Sequence, residues 1–429
     1  MKRGGRLPIG RRSAGALALR VMSLASFYAM HILIAQKIGR DEYGLFAAAF
    51  AAASLIAAVG SLGLPAAAER FTAQYVERQK PSLLIGLVAR SQLLTCAFAL
   101  AAGVLTFAAA SLPFLETRPA LRVSLQMSAF IAPVAALLRL QRRAYVGLER
   151  VKTSFVGETI AWPALTAGAI FAVPLAFKAV HTMPWLCGAG FLIALFQWKS
   201  LRSLTRRLIG KARPEYETRT WLRVAAPSAL GAASQIVMQR AGIFAAIYLL
   251  GEGSAGLYGA AQRIASLIAL MLYAVRSVAA PMFASSFYGG KIDQFRHAAL
   301  RSMAWSFAGA VPFAAAGLLF PEFLMGMFGG EFRGGAVIVR ILVLGQLVNA
   351  ATGPVGTALQ MTGNERAYAA AQTVFAALNL GACAAAATHF DLIGIAVAAS
   401  CGRAALNAWL FLKMRRIWTK PTAADRPDD

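Results

Sequence analysis

Long apolar runs separated by short polar segments dominate the chain. A bilayer crossing takes about 20 residues, so we predict an all-α polytopic membrane protein with about twelve membrane-spanning helices. The fourth and tenth runs are the weakest predictions, because Pro133 and Gly353-Pro354 interrupt them. The predicted limits are 14–37, 43–67, 83–111, 119–139, 152–177, 183–203, 221–249, 256–283, 298–320, 334–360, 367–387 and 391–413.

One polar turn of the pattern recurs in the second half. At an offset of 212 residues, Gly39 and Gly44 coincide with Gly251 and Gly256. The two segments are Ile38-Gly-Arg-Asp-Glu-Tyr-Gly-Leu-Phe and Leu250-Gly-Glu-Gly-Ser-Ala-Gly-Leu-Tyr. The same offset aligns Ala53-Ser-Leu-Ile-Ala57 with Ala265-Ser-Leu-Ile-Ala269 without a mismatch. Chance matching between Ala- and Leu-rich helices is the alternative explanation. An ungapped offset near half the chain length favours two similar halves.

A single long polar interruption divides the predicted spans into six plus six. The predicted parts are an N-terminal lobe (1–203), a basic cytoplasmic linker (204–220) and a C-terminal lobe with a short basic tail (221–429). Because each half has an even number of spans, both halves should enter the membrane the same way up. We therefore expect a parallel repeat with a pseudo-two-fold axis along the membrane normal.

The composition supports a membrane location and explains the charge. Of the 429 residues, 58% are hydrophobic and 14% charged, against about a quarter charged in a soluble domain. The net charge of +25 comes from Lys and Arg concentrated in the termini, the 139–152 segment and the linker. This distribution is typical of cytoplasmic loops and does not indicate nucleic-acid binding. We predict a multi-pass membrane protein with both termini in the cytoplasm.

Arginines inside the predicted spans are the strongest candidates for function, because a charge in hydrocarbon is costly and usually faces a cavity. At 1.5 Å per residue, Arg240 and Arg403 lie about 13–15 Å from the nearer helix end. Arg20 and Arg263 lie about 10 Å from an end on the same scale. Other intramembrane arginines are close enough to helix ends to extend into the interface; these are Arg90, Arg276 and Arg340.

Two further residues join the candidates. His31 is eleven residues from Arg20, which places both on one helix face, about 20° apart. His31 is equally well explained by a structural hydrogen bond within the helix bundle. Glu158 is the main intramembrane carboxylate and is a candidate coupling residue or charge partner.

An interior rich in arginine and poor in carboxylates favours an anionic cargo. Guanidinium is permanently charged and its planar fork of donors suits phosphate oxygens. A cation-coupled exporter of cationic drugs would instead need intramembrane Asp or Glu. No grouping of Ser, His, Cys and acidic residues indicates catalysis, so we expect neither an enzyme nor a metal or cofactor site. The cargo that this pattern favours is a phosphate or diphosphate.

Several motifs resemble a known family. The segments Ile38-Gly-Arg-Asp-Glu-Tyr-Gly-Leu-Phe46, Gly60-Ser-Leu-Gly-Leu-Pro65 and Met327-Phe-Gly-Gly-Glu-Phe332 are similar to those of Wzx-like polysaccharide-biosynthesis flippases. Those flippases belong to the multidrug/oligosaccharidyl-lipid/polysaccharide (MOP) exporter superfamily. The resemblance covers nearly the whole chain. It implies a two-lobed transporter with a central cavity lined by helices one, two, seven and eight, which carry Arg20, His31, Arg240 and Arg263; Arg403 lies outside that set.

The resemblance implies that the chain lies in the bacterial inner membrane. There it would move a polyprenyl-diphosphate-linked oligosaccharide from the cytoplasmic to the periplasmic leaflet for cell-surface or exopolysaccharide synthesis. The expected partners are this lipid-linked oligosaccharide and membrane lipids, with a polysaccharide polymerase and glycosyltransferases nearby. We expect a monomer. Two alternatives stay open: a cation-coupled multidrug exporter of the same superfamily, which would depend on Glu158, and a non-transporting scaffold of a glycan assembly complex, which would depend on the linker.

Overall fold

The computed structural model describes residues 9–172, 178–209 and 213–419, which are mostly helical and contain no strand. The α-helices are α1 (Ile9–Gly60), α2 (Leu64–Glu77), α3 (Pro81–Ala110), α4 (Pro119–Gly147), α5 (Val151–Phe155), α6 (Trp162–Ala172), α7 (Met183–Ile209), α8 (Thr218–Ala245), α9 (Glu252–Ser266), α10 (Ala269–Tyr288), α11 (Ile292–Leu319), α12 (Pro321–Gly326), α13 (Ala336–Thr352), α14 (Val355–Met361) and α15 (Glu365–Thr419). Short 3-10 segments are Pro113–Leu115, Ala179–Thr182 and Gly330–Gly335, and π-helical turns are Val156–Ala161 and Ala246–Leu250.

The apolar helices confirm the predicted all-α polytopic fold. Among the described residues, ten helices are long and apolar enough to cross a membrane. Two of them contain a break, at Gly39 in α1 and at Phe390-Asp391 in α15. Each break lies where the sequence predicts a turn between two spans. Counting both sides of the two breaks gives the predicted twelve.

Several predicted helix limits are wrong. The span predicted at 43–67 ends at Gly60, because the chain turns at Gly63 (φ 71°) before α2. The span predicted at 256–283 is divided between α9 and α10. The span predicted at 119–139 continues to Gly147, so the basic hinge predicted at 139–152 is largely helical. Residues 173–177, predicted to end the fifth span, lie outside the described residues.

Residues 213–217 of the predicted linker are not helical, and they pack on the protein. The helix α7 continues to Ile209 and α8 begins at Thr218. Between them, the Glu215 amide donates to the Ser82 carbonyl over 3.0 Å. A Cβ on Gly86 would lie 1.8 Å from the Glu215 carbonyl oxygen, so only glycine permits this approach of the two backbones.

The chain forms two compact units, Met1–Ala233 and Ser234–Asp429. The core of the first includes Trp221, whose indole N–H donates to the Tyr75 hydroxyl over 2.8 Å. The core of the second includes Phe283 and Phe295, which pack edge to face. Large apolar side chains also point outward, among them Leu105 (70% exposed), Phe171 (75%), Phe196 (72%) and Trp305 (71%). Apolar side chains on both the inside and the outside of a helix bundle are typical of a protein surrounded by lipid.

Candidate functional site

The repeated turn brings together two Gln-Arg pairs of the C-terminal unit. Gln239-Arg240 lies in α8 and Gln262-Arg263 lies in α9. The Arg240 guanidinium donates to Gln262 Oε1 over 2.8 Å, and Gln262 Nε2 donates to the Gln239 carbonyl over 2.5 Å. These two bonds in series join α8 to α9 through polar groups in the interior of the unit.

A small polar cavity lies beside this junction, and we call it the arginine cavity. It has a volume of about 20 Å³. Its walls come from four helices, α8, α9, α13 and α15. The lining residues are Met238, Gln239, Gly242, Tyr258, Gln262, Ala265, Leu342, Gly345, Gln346, Ala399, Ser400 and Arg403. Arg403 lines the cavity together with Gln262, which accepts the hydrogen bond from Arg240, so the structure brings two of the predicted arginines to one place.

Two glycines make room for polar side chains at this cavity. A Cβ on Gly242 would lie 2.0 Å from the Tyr258 hydroxyl, and a Cβ on Gly345 would lie 2.6 Å from the Ser400 hydroxyl. Each polar group therefore occupies the space that a larger residue on the facing helix would fill. The Ser400 hydroxyl donates to the Ile341 carbonyl over 3.3 Å.

The carboxylates of the C-terminal unit are all remote from this interior. The six acidic residues in its described part are exposed and lie at helix ends, turns or breaks: Glu252, Asp293, Glu322, Glu331, Glu365 and Asp391. The ion pair in the described part of this unit, Arg340 with Glu322 at 3.2 Å, is half exposed. The interior charge around the arginine cavity is therefore positive.

Arg263 belongs to the same unit but does not line the arginine cavity. It lies in the last turn of α9, where its backbone carbonyl accepts a 2.7 Å hydrogen bond from the Ser266 hydroxyl. Its side chain is partly buried. Its predicted contact with cargo stays a prediction.

His31 lies in an aromatic cluster of the N-terminal unit. It is completely buried, and its Nδ1 is 3.0 Å from the Tyr43 hydroxyl. The rings of Tyr43, Phe46 and Phe50 surround it at centroid distances of 5.5–5.9 Å. These contacts correspond to the structural alternative stated for His31. The side chain of Arg20, its predicted neighbour on the helix face, lies outside the described residues.

Glu158 is placed by the π-helical turn Val156–Ala161 and pairs with Arg142 of α4. The two side chains are 14% and 27% exposed, respectively. Arg139 is also close enough to Glu158 to interact electrostatically, and Arg143 pairs with Glu69 at 2.5 Å. Glu158 therefore lies among several arginines, as a charge partner would.

The neutral polar residues of the arginine cavity were not among the predicted site residues. Gln239, Gln262 and Gln346 are uncharged and widely separated in the chain. A charged residue in a hydrophobic span is costly and rare, which marks it as a candidate site residue, whereas a glutamine carries no such signal. The recurring Gln-Arg dipeptide in α8 and α9 is the signal that could have identified two of the three.

Comparisons with known proteins show the fold. The MatE family model matches residues 227–384, and no curated protein matches the chain. The inward-facing conformation of a multidrug resistance MATE family transporter of the MOP superfamily has 16% identity and a TM-score of 0.74, covering 95% of this chain and 98% of that one. Its outward-facing counterpart has 17% identity and a TM-score of 0.65, covering 97% of each chain.

A third structure comes from a MOP superfamily transporter of Pyrococcus furiosus, with 14% identity, a TM-score of 0.63 and 95% of each chain covered. Its binding pocket is described as having reverse polarity, which suggests a different function for that protein. The chain therefore has the fold of the MATE transporters, whose twelve helices form two lobes. At these identities the likeness concerns the fold alone.

Proposed function

We propose that the chain is a MOP-type exporter whose cargo is a polyprenyl-diphosphate-linked oligosaccharide, moved across the inner membrane for cell-surface or exopolysaccharide synthesis. The MATE fold and the MatE match to residues 227–384 support a transporter. The motif resemblance to Wzx-like flippases supports this class of cargo.

The observation that carries the proposal is the positive interior of the C-terminal unit. Arg240 in α8 and Arg263 in α9 are both partly buried, whereas all six described carboxylates of this unit are exposed at helix ends, turns or breaks. An arginine at the centre of a span costs about 2.5–3.5 kcal/mol on insertion scales. Such a cost is retained where the charge has a use, and a diphosphate is the anion that a guanidinium fork recognises best.

Replacement of the interior arginines tests this cargo. Arg240→Gln and Arg263→Gln should each reduce surface polysaccharide at least about tenfold, since a hydrogen bond to a charged group contributes about 1.5–3 kcal/mol. Arg340→Gln is the matched control, because Arg340 is half exposed and pairs with Glu322. Surface polymer and membrane protein level are measured together in the native host. Unchanged polymer at normal protein level in both interior variants would contradict the proposal.

A cation-coupled multidrug exporter is the second candidate, and the comparisons support it at least as well. Two similar structures are multidrug resistance MATE transporters. This candidate assigns coupling to Glu158, whose carboxylate pairs with Arg142. If it is correct, Glu158→Gln abolishes efflux of a cationic dye while Arg240→Gln leaves efflux intact. The flippase proposal predicts no dye efflux in the wild type. It also predicts that surface polysaccharide is lost in Arg240→Gln and retained in Glu158→Gln.

A further inference from the structure

We propose that the arginine cavity is a separate anion site, which binds one halide-sized anion such as chloride and is distinct from the place where cargo binds. The cavity belongs to the C-terminal unit and is partly open, and its walls come from α8, α9, α13 and α15. The proposal stands on the size, the charge and the hydrogen-bond donors of the cavity, and it does not depend on the identity of the cargo.

Size excludes the proposed cargo from this cavity. The volume of the arginine cavity, measured as the space that the centre of a water molecule can reach, is about 20 Å³. On the same measure, a cavity needs about 10–15 Å³ to hold one water molecule. A diphosphate carries two phosphorus atoms and their oxygens, which this volume does not accommodate. The occupant is therefore a water molecule or a single small ion.

Charge favours an anion over water. Arg403 lines the cavity, and in the described part of the chain no hydrogen bond or ion pair joins its guanidinium to another side chain. Arginine does not deprotonate in proteins, so its charge persists inside the lobe. A bound anion would neutralise this charge, whereas a water molecule would leave it.

The cavity also presents neutral donors. The Tyr258 side chain is buried, and its hydroxyl lies in the space that Gly242 leaves open. Asn349 Nδ2 donates to Gln346 Oε1 over 3.2 Å, which directs the donor end of the Gln346 amide away from Asn349. Together with the Arg403 guanidinium, these groups supply N–H and O–H donors from three helices. Halides are bound in proteins by such donors and need no fixed bond geometry.

Occupancy should stabilise the folded protein, because a ligand that binds only the folded state raises its stability with concentration. The full-length protein, purified in detergent, is heated in sodium chloride, sodium bromide or sodium gluconate at equal ionic strength. We expect the unfolding temperature to rise saturably with chloride and bromide and to stay at its reference value in gluconate.

Variants locate the effect. Arg403→Gln should raise the half-saturating chloride concentration about tenfold or more, because it removes the charge-assisted bond. Tyr258→Phe should raise it several-fold. Arg340 is an exposed arginine on α13, one of the helices that form the wall of the cavity. Arg340→Gln should have the same half-saturating chloride concentration as the wild type. An unchanged chloride response in Arg403→Gln would overturn the proposal, as would equal stabilisation of the wild type by gluconate.

A direct measurement keeps the test decisive if Arg403→Gln does not fold. Crystals of the wild-type protein in bromide should give an anomalous diffraction peak in the arginine cavity. In chloride solution, the wild-type protein should broaden the chloride NMR line, and added bromide should reverse the broadening. A wild-type cavity that contains water alone under these conditions refutes the site. Loss of polysaccharide in Arg240→Gln bears only on the cargo, so the two proposals can fail independently.

Discussion

The two glycines of the repeated turn show how far a single residue can be predicted. Gly39 has φ 78° and ψ 176°, and Gly251, its partner at the 212-residue offset, has φ 87° and ψ −173°. Only glycine adopts this backbone region readily. The sequence identified the pair from its frame, and the structure supplies the reason that glycine is required at both positions.

Alanine at either glycine should therefore destabilise the protein by about 1–3 kcal/mol, the cost of a residue held in a disallowed backbone region. At Gly251 a Cβ would meet no atom within 4 Å, so the cost there comes from the backbone and not from a clash. The unfolding temperature in detergent measures the effect. Gly168→Ala and Gly381→Ala are the controls, since both glycines are helical with open space around them. An unchanged unfolding temperature in Gly39→Ala and Gly251→Ala would contradict the prediction.

Charged residues were predictable as candidates, but their partners were not. The sequence selected Arg240, Arg403 and Glu158 because ions are rare in hydrocarbon. Gln262, Tyr258 and Arg142 became visible only through their contacts with these ions. A contact between residues more than a few turns apart depends on helix packing, which hydrophobic periodicity does not specify.

At the scale of the element, an identical pentapeptide has two hydrogen-bond patterns, although Leu267 and Ile268 keep right-handed helical backbone angles. Ala53-Ser-Leu-Ile-Ala57 lies within the continuous helix α1, whereas Ala265-Ser-Leu-Ile-Ala269 contains the break between α9 and α10. In the second copy, the Leu267 and Ile268 amides bond to carbonyls three residues back, Ile264 and Ala265, over 3.2 and 3.3 Å. Local propensity is the same in both copies, so packing decides between them.

The break predicts faster amide hydrogen exchange at residues 267–269 than at residues 55–57. The intrinsic exchange rates are closely matched because the sequences are identical, so the ratio reports protection alone. Bonds of the 3-10 type are poorer than α-helical ones, and such local openings lie at the low end of the stability range. Exchange measured by mass spectrometry on the detergent-solubilised protein checks this, and equal protection of the two peptides would contradict it.

The continuation of α4 past residue 139 has an electrostatic explanation. The sequence predicts a cytoplasmic loop there from the density of arginines. In the structure Arg142 pairs with Glu158, and Arg143 pairs with Glu69 of α2. The carboxylates of Glu158 and Glu69 therefore offset two of the positive charges from which the sequence predicts a loop.

At the scale of the whole molecule, the orientation in the membrane is a prediction from the loops. The basic residues of the linker and of both termini should be cytoplasmic, and the turns at 112–118 and 388–390 should be periplasmic. Green fluorescent protein fused to the C-terminus should fluoresce, and alkaline phosphatase inserted at 112–118 should be active. An inactive phosphatase at 112–118 with an active one at the C-terminus would reverse the orientation.

The sequence by itself determined the membrane class, the twelve apolar helices and the repeated glycine turn. These features depend on local hydrophobicity and on the backbone freedom of single residues, which each segment carries with it. The tertiary structure alone decided the break at Leu267-Ile268, the extension of α4 and the arginine cavity. Those depend on which side chains meet across helices, and the free energy of such contacts belongs to the packed bundle and not to any one segment.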